Sequence, residues 1–328
     1  MFKKDIGIDL GTVNILIYVK GSGVVLSEPS VVVIDEETKK PIAFGSEANE
    51  MLGRTPGKIK AIKPMKDGVI ADFETTLMLL DYLLKKINIK GNLFKPRIII
   101  CCPANITEVE KSAIKDAAER TGAKKVFIEE EPKMAAIGAG LDISKPVGNM
   151  VVDIGGGTTD IAVLSLGNIV TSASIKTAGN TFDEDIISYI KNKHKLLIGE
   201  KTAEKIKIEI GTVKKGSDKE KMSVRGRDLV GGLPKTIQIT SEEISEALRG
   251  SVDKIIDMIK EVLEQTPPEL SADIIEHGIT LTGGGALLKD LPSLLEEKLK
   301  VPVYIADSPL TCVAEGTGIL LDRLHYVS

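Results

Sequence analysis

Short apolar runs alternate with glycine-bearing turns at two places in the chain, and the two places match. Ile6-Gly-Ile-Asp9-Leu-Gly-Thr12 and Met150-Val-Val-Asp153-Ile-Gly-Gly-Gly-Thr158-Thr-Asp160 each end an apolar run on Asp and continue into a glycine turn carrying Thr. A second apolar run follows each turn, at Ile15 to Val19 and Ile161 to Leu166. After the turns Gly21-Ser-Gly23 and Gly167-Asn168 comes a third β-branched run, Val24 to Ile34 and Ile169 to Ile175. The pattern predicts two three-stranded meanders.

The parallel continues. In the first copy, spacing predicts a helix over 74–89, a strand over 97–102, a helix over 109–121, a strand over 126–129 and a small-residue helix over 132–140. In the second copy it predicts a helix over 241–263, a strand over 278–281, a helix over 286–299, a strand over 301–305 and a small-residue helix over 309–321. Strands alternating with helices imply parallel pairing with both sheet faces covered. The order β-β-β-α-β-α-β-α, written twice, predicts an α/β chain of two ribonuclease-H-like lobes facing each other across a cleft. The first lobe takes residues 1–34 with 67–148 and 320–328, and the second takes 149–183 with 236–319. Segments 35–66 and 184–235 have no counterpart and read as inserted subdomains; the charged stretch 214–221 inside the second is a solvated loop. Glycine inside a helix costs about 1 kcal/mol relative to Ala. Its clustering with Ala at Ala135, Ala136, Gly138 and Gly140, and again at Ala314, Gly316 and Gly318, therefore predicts that the two closing helices cross closely.

At about 150 residues per domain, 328 residues agree with two domains or one two-lobed one. Forty-three Lys and Arg against 47 Asp and Glu leave −4, which argues against a basic nucleic-acid binder. With no Trp and 3% aromatics, a base-stacking surface is hard to build. Three Cys exclude a disulfide framework. Cys101, Cys102 and Cys312 lie in apolar surroundings and read as buried thiols suited to a reducing cytosol. No signal peptide is expected, and no apolar run approaches the ~20 residues of a membrane span.

Three glycine turns leave predicted strand ends: Asp9-Leu-Gly-Thr12, Asp153-Ile-Gly-Gly-Gly-Thr158 and Leu281-Thr-Gly-Gly-Gly285-Ala286. Without a Cβ in the way, backbone N–H groups can close on an anion, which points to phosphates. Asp9 and Asp153 beside such turns make sense if a cation mediates, so Mg²⁺ held through waters is expected. Competing signatures fail. Leu52 stands where a P-loop before Gly57-Lys58 needs Gly, and the histidines (194, 277, 325) form no zinc motif. Glu131, just before Pro132 at a predicted helix start, is the candidate base for water attack, with Thr158 facing it as an orienting partner. Phosphoryl transfer needs little beyond metal, backbone donors and an in-line nucleophile.

The motifs Ile8-Asp-Leu-Gly-Thr12, Gly53-Arg-Thr-Pro-Gly57, 64–72, Asp153-Ile-Gly-Gly-Gly-Thr-Thr159, Thr202-Ala-Glu-Lys-Ile-Lys207 and Leu281-Thr-Gly-Gly-Gly-Ala-Leu-Leu288 resemble those of the actin, heat-shock-chaperone and sugar-kinase superfamily. More closely, over essentially the whole chain, they resemble the bacterial actin-like MreB family. Lys133-Met134 and Asp160 resemble its Mbl branch. The resemblance implies an actin-like fold around a nucleotide cleft, with ATP and Mg²⁺ as cofactors. It implies that Thr12, Val13, Asn14, Gly156, Gly157 and Thr158 hold the phosphates. Glu204, Lys205, Ile206 and Lys207 would approach the nucleoside, and Gly284, Gly285 and Ala286 would close the adenosine pocket. Glu131 matches the family's water-activating Glu and Thr158 its partner. Unlike actin, the first turn has no Lys before Lys20, so slow hydrolysis is expected.

The implied role is a cytoplasmic filament, peripheral on the inner face of the cell membrane, that organises cell-wall synthesis and keeps rod shape. Its implied partners are copies of itself and elongation proteins such as MreC, MreD and RodZ. Segments 35–66 and 184–235 are expected at the two ends of the subunit contact. Leu93 and Phe94, in a loop flanked by Lys85, Lys86, Lys90 and Lys95, are expected to enter an anionic lipid surface. A small-molecule kinase using the same ATP cleft is the rival reading. It would need a catalytic Asp and an acceptor pocket, which the two insertions do not obviously supply. A chaperone would carry a substrate-binding domain after the ATPase.

Overall fold

A computed structural model describes residues 5–87, 95–102, 107–120, 122–216 and 220–323. The chain divides into two compact units, residues 1–142 with 310–328 and residues 143–309.

The first unit opens with the meander β1 (Ile6–Leu10), β2 (Asn14–Val19) and β3 (Gly23–Pro29). A small sheet follows, made of β4 (Val32–Asp35), β5 (Pro41–Phe44) and β6 (Ile59–Ile62), with α1 (Gly45–Met51) packed on it. The short hairpin β7 (Met65–Lys66) and β8 (Val69–Ile70) leads to α2 (Phe73–Lys86). The Asp72 carboxylate starts α2 by accepting from the Thr75 amide at 2.9 Å, and Lys85 and Lys86 suit its C-terminal dipole. Next come β9 (Arg97–Cys102), α3 (Glu108–Arg120), β10 (Lys125–Glu130) and α4 (Glu131–Gly138). The last helix of the chain, α10 (Cys312–Arg323), also belongs to this unit.

The second unit repeats the scheme. Its meander is β11 (Asn149–Ile154), β12 (Thr159–Ser165) and β13 (Asn168–Ile175). Then follow α5 (Gly179–His194), β14 (Leu196–Leu197), α6 (Glu200–Ile210), β15 (Lys221–Asp228) and β16 (Pro234–Thr240). The long α7 (Ser241–Gln265) begins with a reciprocal cap between Thr240 and Glu243. The unit ends with α8 (Pro268–His277), β17 (Ile279–Thr282), a 3₁₀ turn (Gly284–Leu287), α9 (Leu291–Leu299) and β18 (Val303–Ile305).

The two main sheets have one topology. Their orders are β3-β2-β1-β9-β10 and β13-β12-β11-β17-β18. In each the meander is antiparallel and the later strands pair parallel. Strand β9 is buried from end to end, as the all-apolar run Ile98 to Cys102 requires of a strand covered on both faces. Asp5, fully buried, receives the Arg97 guanidinium at 3.0 and 2.5 Å and the Arg97 amide at 3.0 Å. The same guanidinium reaches the Leu321 carbonyl, tying α10 to the edge of β1 and β9.

Helices α4 and α10 cross backbone to backbone. A Cβ at Gly138 would overlap the Cys312 carbonyl, and one at Gly316 would overlap the Met134 carbonyl. The small residues expected to allow close crossing do so.

Three sequence expectations change, and one helix was not expected. The run 24–34 is not one strand: Pro29 ends β3, and Ser30 turns the chain into a different sheet by bonding back to Gly11 and Val13. The helix expected over 286–299 is interrupted between Leu287 and Leu291, because Pro292 cannot donate to the carbonyl four residues earlier. Helix α8 carries little buried surface beyond Ile274, which left no periodic signal for it. Residues 310–319, assigned by the repeat to the second lobe, pack with the first unit through α10. Segment 35–66 supplies β5 and β6 of the small sheet whose third strand, β4, begins before it, and segment 184–235 supplies β14 and β15 of the sheet completed by β16, which runs on to Thr240. Residue 121 and residues 88–89, ends of two expected helices, lie outside the described residues.

Candidate functional site

In the second unit, β11 delivers Asp153 and Ile154 to the end of the sheet, where the chain turns through Gly155, Gly156 and Gly157. The turn is closed by the Gly155 amide donating to the Thr158 carbonyl at 2.9 Å. Helix α5 docks its first turn on this loop: the Gly179 and Asn180 amides donate to the Gly155 and Gly156 carbonyls at 3.1 and 2.8 Å. Thr159 fixes the approach to α5 by donating to the Thr177 carbonyl at 2.7 Å. A glycine turn beside a helix N-terminus presents amide dipoles suited to phosphate.

Asp153 and Asp160 stand directly opposite each other on β11 and β12, both buried. Burial, with repulsion from Asp160, pushes the Asp153 carboxyl up to about 7, against the opposing bond from the Thr282 hydroxyl at 2.9 Å. Burial also raises Asp160, although hydroxyl bonds from Ser174 and Thr158 oppose it. Two buried carboxyls with only neutral donors between them form a site of excess negative potential that suits a hard cation.

The third turn begins at Gly283, which has φ +78° and lies where a Cβ would meet the Ile154 carbonyl and the Asp153 carboxylate. This close approach lets the turn lie against β11. Gly284 is exposed, while the Ala286 side chain is fully buried. Lys207 of α6 pairs with Asp183 of α5 at 2.9 Å and donates to the Gly179 carbonyl at 2.9 Å. It thus stands at the start of α5, next to the Gly155 turn. Glu204 and Lys205 are exposed, and Ile206 points into the hydrophobic core, so only its backbone can serve a ligand.

In the first unit, Asp9 is paired in register with Cys101, and Cys101 with Glu129, across the parallel ends of β1, β9 and β10. Glu131 follows at the first position of α4, buried, with Pro132 behind it. Burial, then the charges of Asp9 and Glu131, pushes the Cys101 thiol well up. Burial, then Glu131 and Asp9, does the same to Cys102. Ionisation of both thiols is disfavoured, and Asp9 and Glu131 act on the same two cysteines. The turn Gly11 to Asn14 is held by Ser30, and the Thr12 hydroxyl accepts from the Gly68 amide at 3.2 Å. Thr12 and Val13 are half-buried and Asn14 is exposed.

Asp9, Thr12 and Glu131 in the first unit, and Asp153, Gly156 to Thr158 and Gly284 to Ala286 in the second, lie at or just past strand ends, whereas Glu204 to Lys207 lie on α6. Thr282 and Asp183 were missed as partners. Thr282 lies inside the quoted Leu281 motif, whereas Asp183 carried no signal of its own before α5 and α6 were placed side by side. Among the described residues, no group of three or more His, Cys, Asp or Glu is gathered as a metal site. Leu93 and Phe94 lie outside the described residues.

Two lobes of repeated topology, each presenting a glycine turn and an Asp at its strand ends, define an actin-like fold. The chain belongs to the MreB/Mbl family, whose model, MreB/Mbl protein, matches residues 3–328. It is 62% identical over 324 residues to the cell shape-determining protein Mbl of Bacillus cereus, covering 99% of this chain and 97% of that one. It is 50% identical over 331 residues to the cell shape-determining protein MreB of Escherichia coli, covering 99% and 95%. A crystal structure of MreB5 of Spiroplasma citri bound to ADP superposes with a TM-score of 0.93 at 44% identity, covering 98% of this chain and 97% of that one.

Proposed function

We propose that this chain is an ATP-binding cytoskeletal protein that polymerises into membrane-associated filaments, organises cell-wall synthesis and maintains rod shape. The observation that carries the nucleotide part is the Gly155–Thr158 turn, with the start of α5 and the Lys207–Asp183 pair built against it. Gly156 to Thr158 would offer amides to phosphate, as would Thr12 to Asn14 in the first unit. Glu204 and Lys207 would meet the nucleoside, and the Gly284–Ala286 turn would close over it. The ADP bound in the MreB5 structure supports an adenine nucleotide.

Asp153 in the second unit and Asp9 in the first would each approach Mg²⁺ through its waters, in keeping with that ion's reluctance to dehydrate. When bound, the ion would offset phosphate charge. Glu131 would take the proton of the attacking water, with Thr158 orienting it. No Lys lies in the first turn, so turnover would be slow.

The cell-shape role of relatives matched over nearly their whole length favours the filament over the small-molecule kinase. By the same relationship the filament would lie at the inner membrane face and contact elongation proteins such as MreC, MreD and RodZ. No helix among the described residues is long and apolar enough to cross a membrane. Leu93 and Phe94 are the residues proposed to attach the filament to lipid.

Titrating Mg-ATP into wild type and Asp153→Ala tests the site. Wild type should bind, and the variant should lose the Mg²⁺-dependent part of the affinity. Equal Mg-ATP affinity in both would remove Asp153 from the site.

A further inference from the structure

Helix α6 carries Lys207 at the start of α5, and its far end is fastened to a second element of the same region. Just beyond α6, Thr212 is 1% exposed and its hydroxyl donates to the Asp290 carboxylate at 2.7 Å. Thr212 also forms an isolated parallel bridge with Lys289, and the Val213 amide donates to the Lys289 carbonyl at 3.2 Å. Lys289 and Asp290 directly follow the Gly283–Leu288 turn. The seam is tight, since a Cβ at Gly211 would press on the Leu288 side chain.

Asp290 is unusual in what it does not do. It occupies the N-cap position of α9, where a carboxylate normally accepts from the first helical amides. Here it makes no side-chain cap bond. Its backbone is left-handed, φ +64°, a conformation that costs an L residue and that Asp and Asn tolerate better than most. The carboxylate accepts from the Thr212 hydroxyl.

We infer that the Thr212–Asp290 bond is a clasp that fixes α6, and with it Glu204 and Lys207, against the Gly283–Ala286 turn. Thr212 and Asp290 are thereby positioning residues for the nucleoside half of the bound nucleotide. This rests on the proposed nucleotide-binding function. The two groups proposed to meet the nucleoside come from α6 and from the third turn, and the clasp is where these elements are joined. Lys207 reaches the phosphate side only through α5, at the Gly179 carbonyl and Asp183, whereas the Gly155 turn itself is held by the Gly179 and Asn180 amides. Loss of the clasp should therefore weaken nucleoside recognition and leave triphosphate recognition alone.

The full chain is compared as wild type, Thr212→Val, Thr212→Ser and Asp290→Gly. Gly accepts the left-handed backbone while removing the carboxylate. Calorimetry with Mg-ATP and with Mg-tripolyphosphate is read beside hydrogen exchange at the Val213 amide in nucleotide-free protein. Thr212→Val and Asp290→Gly should each weaken Mg-ATP about tenfold, the scale of one charge-assisted bond, with tripolyphosphate affinity unchanged. Val213 exchange should quicken in both. Combining them should cost no more than either alone, and Thr212→Ser should restore wild-type values. Unchanged Val213 exchange, unchanged Mg-ATP affinity, or equal losses for both ligands would overturn the clasp. A wild-type chain that binds no Mg-ATP would overturn the proposed function instead, and the clasp would then stand or fall on Val213 exchange.

Discussion

Asp153 and Glu28 are both carboxylates taken out of water, and their surroundings drive them in opposite directions. Asp153 faces another acid and is pushed up to about 7, chiefly by burial. Burial also opposes the charge of Glu28, but Lys86 at 2.6 Å and the Ser46 hydroxyl and amide at 2.7 Å outweigh it and hold the carboxyl below its ordinary value. A carboxylate lowered by folding contributes stability above its unfolded pKa and loses it as pH falls through the folded value. Glu28→Gln should therefore cost about 1–2 kcal/mol at neutral pH. It should also flatten the loss of stability seen on acidification below about pH 4.5, the region of the unfolded Glu pKa. Urea unfolding at pH 7 and in that acid range checks both. Identical pH profiles for variant and wild type would remove the pair from the acid limb. Glu131 belongs to catalysis in the proposed scheme. Glu131→Ala should keep bound nucleotide and slow phosphate release by about 10²–10⁴-fold, the usual loss for a general base. Unchanged release from a folded variant would make Glu131 a bystander.

At the crossing of α4 and α10, helix propensity and packing make opposite demands on glycine. Gly→Ala inside a helix gains up to about 1 kcal/mol, while forcing a methyl into a filled backbone contact costs about 1–3. At Gly316 the obstacle is the Met134 carbonyl, which cannot swing aside as a side chain could. Gly316→Ala should therefore be destabilising by about 1–2 kcal/mol. Gly250→Ala, in α7 with open space around it, should be stabilising by about 0.5–1. Urea midpoints that move in the same direction for both would show that the crossing is not tight.

These small residues were legible in the sequence because they recur in both copies, as were the meanders, whose alternation is local. The breaks at Pro29 and Pro292 were also written in the chain, but apolar periodicity ran across them and masked the punctuation. What could not be read were partners distant in sequence, such as Thr282 for Asp153, Asp183 for Lys207 and Asp290 for Thr212. Each depends on which strands and helices become neighbours, and no local pattern encodes that. Asp9, Asp153 and Glu131 were legible only as strand-end acids. The burial of Asp153 and Glu131, and the repulsion between Asp153 and Asp160, follow from the folded sheets.

A subunit contact between unlike surfaces propagates as a linear polymer unless its rotation closes a ring. We propose that the segments 35–66 and 184–235 supply its two ends. Weak lipid contacts would become effective in such a polymer, since many subunits bind one surface together. Vesicle binding should then strengthen on assembly and with anionic lipid. Sedimentation of the chain at roughly tens of micromolar, a range in which modest interfaces act, decides the matter when run with and without Mg-ATP and paired with electron microscopy of the pellet. Linear filaments should pellet with Mg-ATP and fail to form without nucleotide. A chain that stays monomeric with Mg-ATP, both in solution and on anionic vesicles, would contradict the filament function.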